Sequence, residues 1–202
     1  MRPVTNVIFD LGGVVLRWNP DEILRNFYAD GALRSLAKRE LFQHADWLDL
    51  DRGTLAEHQA IERFHDRTGR PPQETAALLR AARDSLQPIP ETLKILEELA
   101  ARGVPLYCLS NMPAGTADHL REKYSFWKAF RGVVISGEIN LLKPDAAIFD
   151  HIARRFDLTP QDTVFIDDLL ANIESAERFG FNTILFENAA QCRQALRERF
   201  GI

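Results

Sequence analysis

The chain has 202 residues, 46% of them hydrophobic and 27% charged, which is enough apolar material for a sizeable interior and excludes a disordered or fibrous protein. With 25 Lys and Arg against 29 Asp and Glu, the formal net charge is -4, so no face-wide basic excess is available and nucleic acid is not an expected partner. Cys108 and Cys192 lie too far apart for a recognisable disulfide or metal-ligand spacing, and the opening run to Asp10 is neither a signal peptide nor long enough to span a bilayer; a reduced, cytoplasmic setting without membrane contact is expected.

In chain order, the first element is a short apolar run, Val7-Ile8-Phe9, that ends on Asp10 and a glycine pair, the pattern of a buried parallel strand. The stretch that follows changes period. Helical spacing runs from Asp21 to Tyr28, Ala32 to Phe42, Leu55 to Arg67 and Gln73 to Leu86, with the segment from His44 to Gly53 read as a connecting loop. Thr54 and Pro72 read as helix starts, and Pro88 with Pro90 marks the end of this all-helical stretch. Four more apolar runs then follow: Leu106 to Ser110, Val133 to Ser136, Val164 to Asp168 and Thr183 to Phe186. They alternate with amphipathic segments at roughly 90 to 102, 114 to 123, 144 to 156, 170 to 180 and 189 to 200. The expected fold class is α/β: a doubly wound, Rossmann-like parallel sheet from residues 1–16 and 87–202, carrying a small inserted helical-bundle cap over 17–86.

The residues able to do chemistry stand where strands give way to helices. Asp10 precedes Leu11-Gly12-Gly13, where glycine lets backbone approach a ligand closely. Ser110 and Asn111 close the second strand before a helix, offering a hydroxyl and free N–H groups suited to phosphate. Lys143 opens Lys143-Pro144-Asp145 as a cation able to neutralise such a group. Asp167-Asp168 ends the fourth strand, with Asn172 at helical spacing behind it. Two adjacent acids facing Asp10 along one sheet edge would repel unless a cation or protons compensate, and an all-oxygen donor set suits Mg²⁺. Each feature alone also fits a turn former, a helix cap or a surface lysine.

Together, in this order, these motifs resemble those of the haloacid-dehalogenase superfamily with a short helical cap, and the resemblance covers nearly the whole chain. It implies an Mg²⁺-dependent phosphatase that acts on a small phosphorylated metabolite. Asp10 would be the nucleophile and carry a phosphoaspartyl intermediate. Lys143, Ser110 and the backbone N–H of Asn111 would grip the phosphoryl oxygens. Mg²⁺ would be held by Asp10, the carbonyl of Gly12 and Asp168, with Asp167 and Asn172 in support. The stretch from Gly13 to Trp18 would be a mobile flap.

Gly12 departs from the family pattern, because it stands where relatives usually carry an aspartate general acid. An acidic leaving group would tolerate that loss, and the glycine form is similar to that of bacterial α-D-glucose-1-phosphate phosphatases, so glucose 1-phosphate is the expected substrate. Asn140, near Lys143, is expected to adopt the positive φ that asparagine tolerates. The segment from His44 to Gly53 is expected to select the substrate through His44, Asp46, Trp47 and Arg52, with His44 as a stand-in acid. Three alternatives stay open: a metal-independent dehalogenase of the same superfamily, a receiver-type signalling domain, and a low-activity phosphometabolite-binding relative.

Overall fold

The computed structural model describes residues 4–202; Met1 to Pro3, part of the segment read as lacking a signal peptide, lie outside them. Five parallel strands form one sheet: β1 (Asn6–Phe9), β2 (Leu106–Ser110), β3 (Gly132–Ile135), β4 (Thr163–Asp167) and β5 (Asn182–Leu185), in the spatial order β3-β2-β1-β4-β5. Successive side chains of a strand point to opposite faces, so each apolar run feeds two cores. Val7 and Phe9 of β1, Cys108 of β2 and Ile166 of β4 join one buried cluster. Helices α6 (Pro90–Ala101), α7 (Ala114–Lys123) and α11 (Ala189–Phe200) cover it through Ile95, Leu120 and Leu196. Ile8, Leu109 and Phe165 join a second cluster on the other face, under α9 (Ala146–Arg155) and α10 (Leu170–Phe179), with Phe149, Ile152 and Ile173. This two-sided burial is why the strands read as continuous apolar runs rather than alternating ones. Both cysteines are free and buried.

The register sets the functional edge. Phe9 pairs with Cys108 on one side and with Ile166 on the other, so the residues following all three strands emerge at one level. Because the chain order reverses about β1, a crevice opens beyond the carboxyl ends of β1 and β4.

Between β1 and α6 the chain forms α1 (Pro20–Phe27), α2 (Gly31–Ala37), α3 (Ala45–Arg52), α4 (Glu57–Thr68) and α5 (Pro72–Asp84). These have an apolar cluster of their own, including Ile23, Leu24, Leu41, Phe64 and Leu78. The outgoing and returning chains lie side by side, with Arg17 N donating to Gln87 O at 2.8 Å and Ile89 N donating to Val15 O at 2.8 Å.

Three local expectations are corrected. The segment read as a loop after His44 is helix α3: His44 Nδ1 accepts from Asp46 N at 3.2 Å and caps it, and Gly53 at φ 78° ends it. The second helix shifts after Ala37 into a π-helical turn, Lys38–Phe42. Thr54 does not start α4; its hydroxyl donates to Asp49 O at 3.3 Å, while Gln59 Oε1 accepts from Ala56 N at 3.0 Å at the true start. Pro72 does open α5, and Asn140 adopts φ 57°. Among the described residues no helix is long and apolar enough to cross a membrane.

Candidate active site

Asp10 follows the last residue of β1, and Asp167 and Asp168 lie at the end of β4. One carboxylate oxygen from each lies within 4.8 Å of the others. Lys143 is buried among them: its Nζ stands 2.8 Å from Asp10 Oδ1 and 2.7 Å from Asp167 Oδ2, and donates to Leu109 O at 2.9 Å. Asn172 Nδ2 donates to both oxygens of Asp167 at 2.9 and 3.0 Å, and Leu169 N donates to Asp167 Oδ1 at 2.9 Å, which fixes that carboxylate in place.

One lysine does not balance three acids. Burial, then repulsion from Asp167 and Asp168, raises the Asp10 carboxyl to about 7, even though Lys143 pulls the other way. Burial and Asp167 raise Asp168 to about 6. The Lys143 ammonium, which burial alone would discharge, is held above its ordinary range by Asp10 and Asp167. A buried group of oxygen donors with surplus negative charge is what a hard divalent cation compensates, so the residues present fit one.

The glycine turn is shaped around this cluster. Gly13 has φ 79°, and a β-carbon there would collide with the Asp168 carboxylate. Gly12 lies on the wall of the cavity with Asp10 and Asp168. The stretch beyond does not form an exposed flap: Val14, Val15 and Leu16 are fully buried, and Leu11 O accepts from the backbone N–H of all three at 3.2, 2.9 and 2.7 Å. In that stretch Trp18 reaches the cavity.

On the other side of Asp10, Asn111 and Lys143 exchange two hydrogen bonds, Asn111 Nδ2 to Lys143 O and Lys143 N to Asn111 Oδ1, each 2.9 Å. Both residues line the cavity. Ser110 ends β2 next to them but is buried, 1% exposed, and is not on the wall.

The cap residues chosen from sequence divide. Trp47 lines the cavity; His44, Asp46 and Arg52 do not. His44 caps α3 and lies 3.3 Å from Asp46. Asp46 points into the helical bundle, accepting from Arg63 at 2.9 Å and Arg67 at 2.6 Å; burial alone would raise its carboxyl, but the two arginines hold it below the ordinary range. The Arg52 guanidinium lies nearest Asp49 and Asp145, at 3.5 and 3.8 Å. The residue that sequence reasoning missed is Asp51. It lines the cavity with Asp10 and Lys143, and burial, then the Asp10 charge, raises its carboxyl to about 7. Its helix end is tied to α8 (Ser136–Ile139): Ser136 Oγ donates to Asp51 O at 2.5 Å and Asn140 Nδ2 to Arg52 O at 3.0 Å.

A family model described as haloacid dehalogenase-like hydrolase matches residues 4–180. The chain belongs to that family. A sesquiterpene phosphatase of Aspergillus oryzae is 29% identical over 195 residues, covering 96% of this chain and 95% of its own. A D-ribitol-5-phosphate phosphatase of Bacteroides thetaiotaomicron is 24% identical, covering 96% and 97%. A solved structure of a predicted hydrolase of this family from Porphyromonas gingivalis superposes with a TM-score of 0.77 at 26% identity, covering 96% of this chain and 98% of that one. The family membership, the parallel sheet and the helices about it agree with the expected fold class.

Proposed function

We propose that this hydrolase is an Mg²⁺-dependent phosphatase acting on a small phosphorylated metabolite through a phosphoaspartyl intermediate on Asp10. The observation that carries the proposal is the convergence of Asp10, Asp167 and Asp168 within 4.8 Å beside Lys143, with Asp10, Lys143 and Asp168 on the wall of a cavity. The two relatives named as phosphatases support phosphomonoester hydrolysis. The metal would be held by Asp10, the carbonyl of Gly12 and Asp168, with Asp167 and Asn172 orienting them, and when bound it supplies positive charge to the phosphoryl oxygens.

The chain's own groups do the rest. An Asp10 carboxylate oxygen attacks phosphorus in line, and the phosphorus–oxygen bond to the alcohol breaks as the aspartyl bond forms. Lys143 and Asn111, with Ser110 once its hydroxyl is uncovered, hold the equatorial oxygens. Asp51 gives a proton to the departing alkoxide and then takes one from the water that cleaves the phosphoaspartate, releasing inorganic phosphate. This role fills the gap at Gly12 with a carboxyl from α3 on the same cavity; His44, spent on capping α3, does not line it. In this reading residues 17–86 form the cap that covers the leaving group, and 1–16 with 87–202 form the core that binds phosphate.

The test is hydrolysis of p-nitrophenyl phosphate and alkyl phosphates with Mg²⁺, with Asp10→Asn as the control. Turnover is expected to need the metal and to fall to background in the variant. Activity that survives Asp10→Asn overturns the assignment. Release of halide from a 2-haloacid at full rate in chelator favours dehalogenation instead.

A further inference from the structure

We infer that the alcohol esterified to the phosphate is a hydrocarbon alcohol rather than a sugar or polyol, an inference that rests on the phosphatase reading above. The cavity holds about 560 Å³, a size that accommodates a drug-sized molecule and far exceeds a phosphate. Asp10, Asn111, Lys143 and Asp168 form one polar part of its wall.

The remainder of the wall is of another character. Trp18, Phe42, Trp47, Leu48, Leu55 and Leu79 line it, and the three aromatic rings lock one another in place: Trp18 and Trp47 stack with centroids 5.6 Å apart, and Phe42 meets Trp47 at 4.7 Å. Such a wall is preformed and apolar, so it gains most from a ligand that brings hydrocarbon to it. The charged side chains on the cap side are few. Glu57 and Arg83 stand 3.9 Å apart as a loose ion pair, while Asp51 belongs with the phosphate end.

A sugar ring laid against these aromatic and leucine side chains would leave the hydroxyls facing them without partners, and each unpaired hydroxyl weakens binding by about tenfold or more. The expectation of glucose 1-phosphate rested on the missing acid at Gly12 and on the likeness of the glycine motif, and Asp51 removes the first of these grounds. The opening points the same way. Leu48 and Leu169 are on the cavity wall yet 54% and 57% exposed, large apolar side chains presented to solvent where the cavity opens. Exposed leucines at the mouth of an apolar cavity extend the hydrocarbon track outward. The backbone N–H of Leu169 donates to Asp167 Oδ1, which places this leucine next to the carboxyl cluster.

The experiment is a series of monophosphates assayed with Mg²⁺ below their micellisation concentrations: butyl, hexyl, octyl and decyl phosphate beside glucose 1-phosphate and ribitol 5-phosphate. Full burial of each added methylene is expected to raise kcat/KM by about fourfold until the cavity is filled, and decyl phosphate is expected to exceed both polyol esters. Leu48→Glu, at an exposed position, is expected to cut the decyl-to-butyl ratio by about tenfold. A flat or falling series, or a faster polyol ester, overturns the hydrocarbon class while hydrolysis that is lost in Asp10→Asn keeps the phosphatase reading intact. Hydrolysis of no phosphomonoester at all overturns both.

Discussion

Asp51 sits in the last turn of α3, where the carbonyl end of the helix dipole repels negative charge and an acid is normally avoided. A proton on the carboxyl removes that conflict, and the apolar wall together with the Asp10 charge favours keeping it. The role as proton donor makes a prediction that a merely structural role does not. Asp51→Asn is expected to lower kcat for an alkyl phosphate by about 10² to 10⁴, since an alkoxide needs its proton. For p-nitrophenyl phosphate, whose leaving group departs as the anion, the same substitution is expected to cost less than about tenfold. Equal losses on the two esters would remove Asp51 from the proton path. Asp10, Asp167 and Asp168 were legible in the sequence because they stand where an apolar run breaks off, and Lys143 because it opens Lys143-Pro144-Asp145 before a helix. Asp51 was not, because what brings it to Asp10 is the docking of a helix more than forty residues down the chain. Nor could spacing tell which face of that helix turns inward, so Asp46 and Arg52 were grouped with Trp47 although their partners lie elsewhere.

At the level of elements, the end of α3 is the joint between the helical bundle and the sheet. Gly53 has φ 78°, and a β-carbon added to it would sit 2.5 Å from Gly137 O on α8, next to the hydrogen bonds from Ser136 and Asn140. Gly69, at the end of α4, has φ 69° but open space around it. The pair separates backbone strain from docking. Gly69→Ala is expected to lower stability by about 1 kcal/mol through the left-handed penalty alone, leaving turnover as it was. Gly53→Ala adds the collision, so α3 must shift; a larger loss in a denaturant melt is expected, with kcat for alkyl phosphates lowered by roughly 10- to 100-fold as Asp51 leaves its place. Matching effects of the two substitutions on kcat would mean the joint does not position the site. The strands were readable because burial on both faces gives continuous apolar runs. The short helix α3 was not: it has only eight residues, three of them aspartates, and its two end caps, His44 and Gly53, supply what so short a run lacks.

For the whole molecule, the carboxyl cluster ties stability to pH and to metal in a direction that can be worked out. Asp10, Asp51 and Asp168 have raised values in the folded protein, about 7, 7 and 6, against 3.8 for the free side chain. Between these limits the folded chain holds protons that the unfolded chain has lost, so stability falls as pH rises from about 4 through 7. Lys143, held charged throughout that window, contributes no opposing change. In chelator, the melting temperature is therefore expected to drop between about pH 5 and about pH 8. A divalent cation replaces those protons as the compensating charge. At a concentration roughly a hundred times its dissociation constant it adds about 2.7 kcal/mol, a rise of roughly 5–10 °C for a chain of this size. The rise is expected to be larger at about pH 8, where the carboxylates are free, than at about pH 5, where binding must first expel protons. Asp168→Asn, which removes one repelling charge, is expected to flatten the pH dependence in chelator and to abolish most of the magnesium response. A metal-free protein that grows more stable from pH 5 to 8, or a magnesium response that survives Asp168→Asn, would mean that the three acids do not form one electrostatic unit.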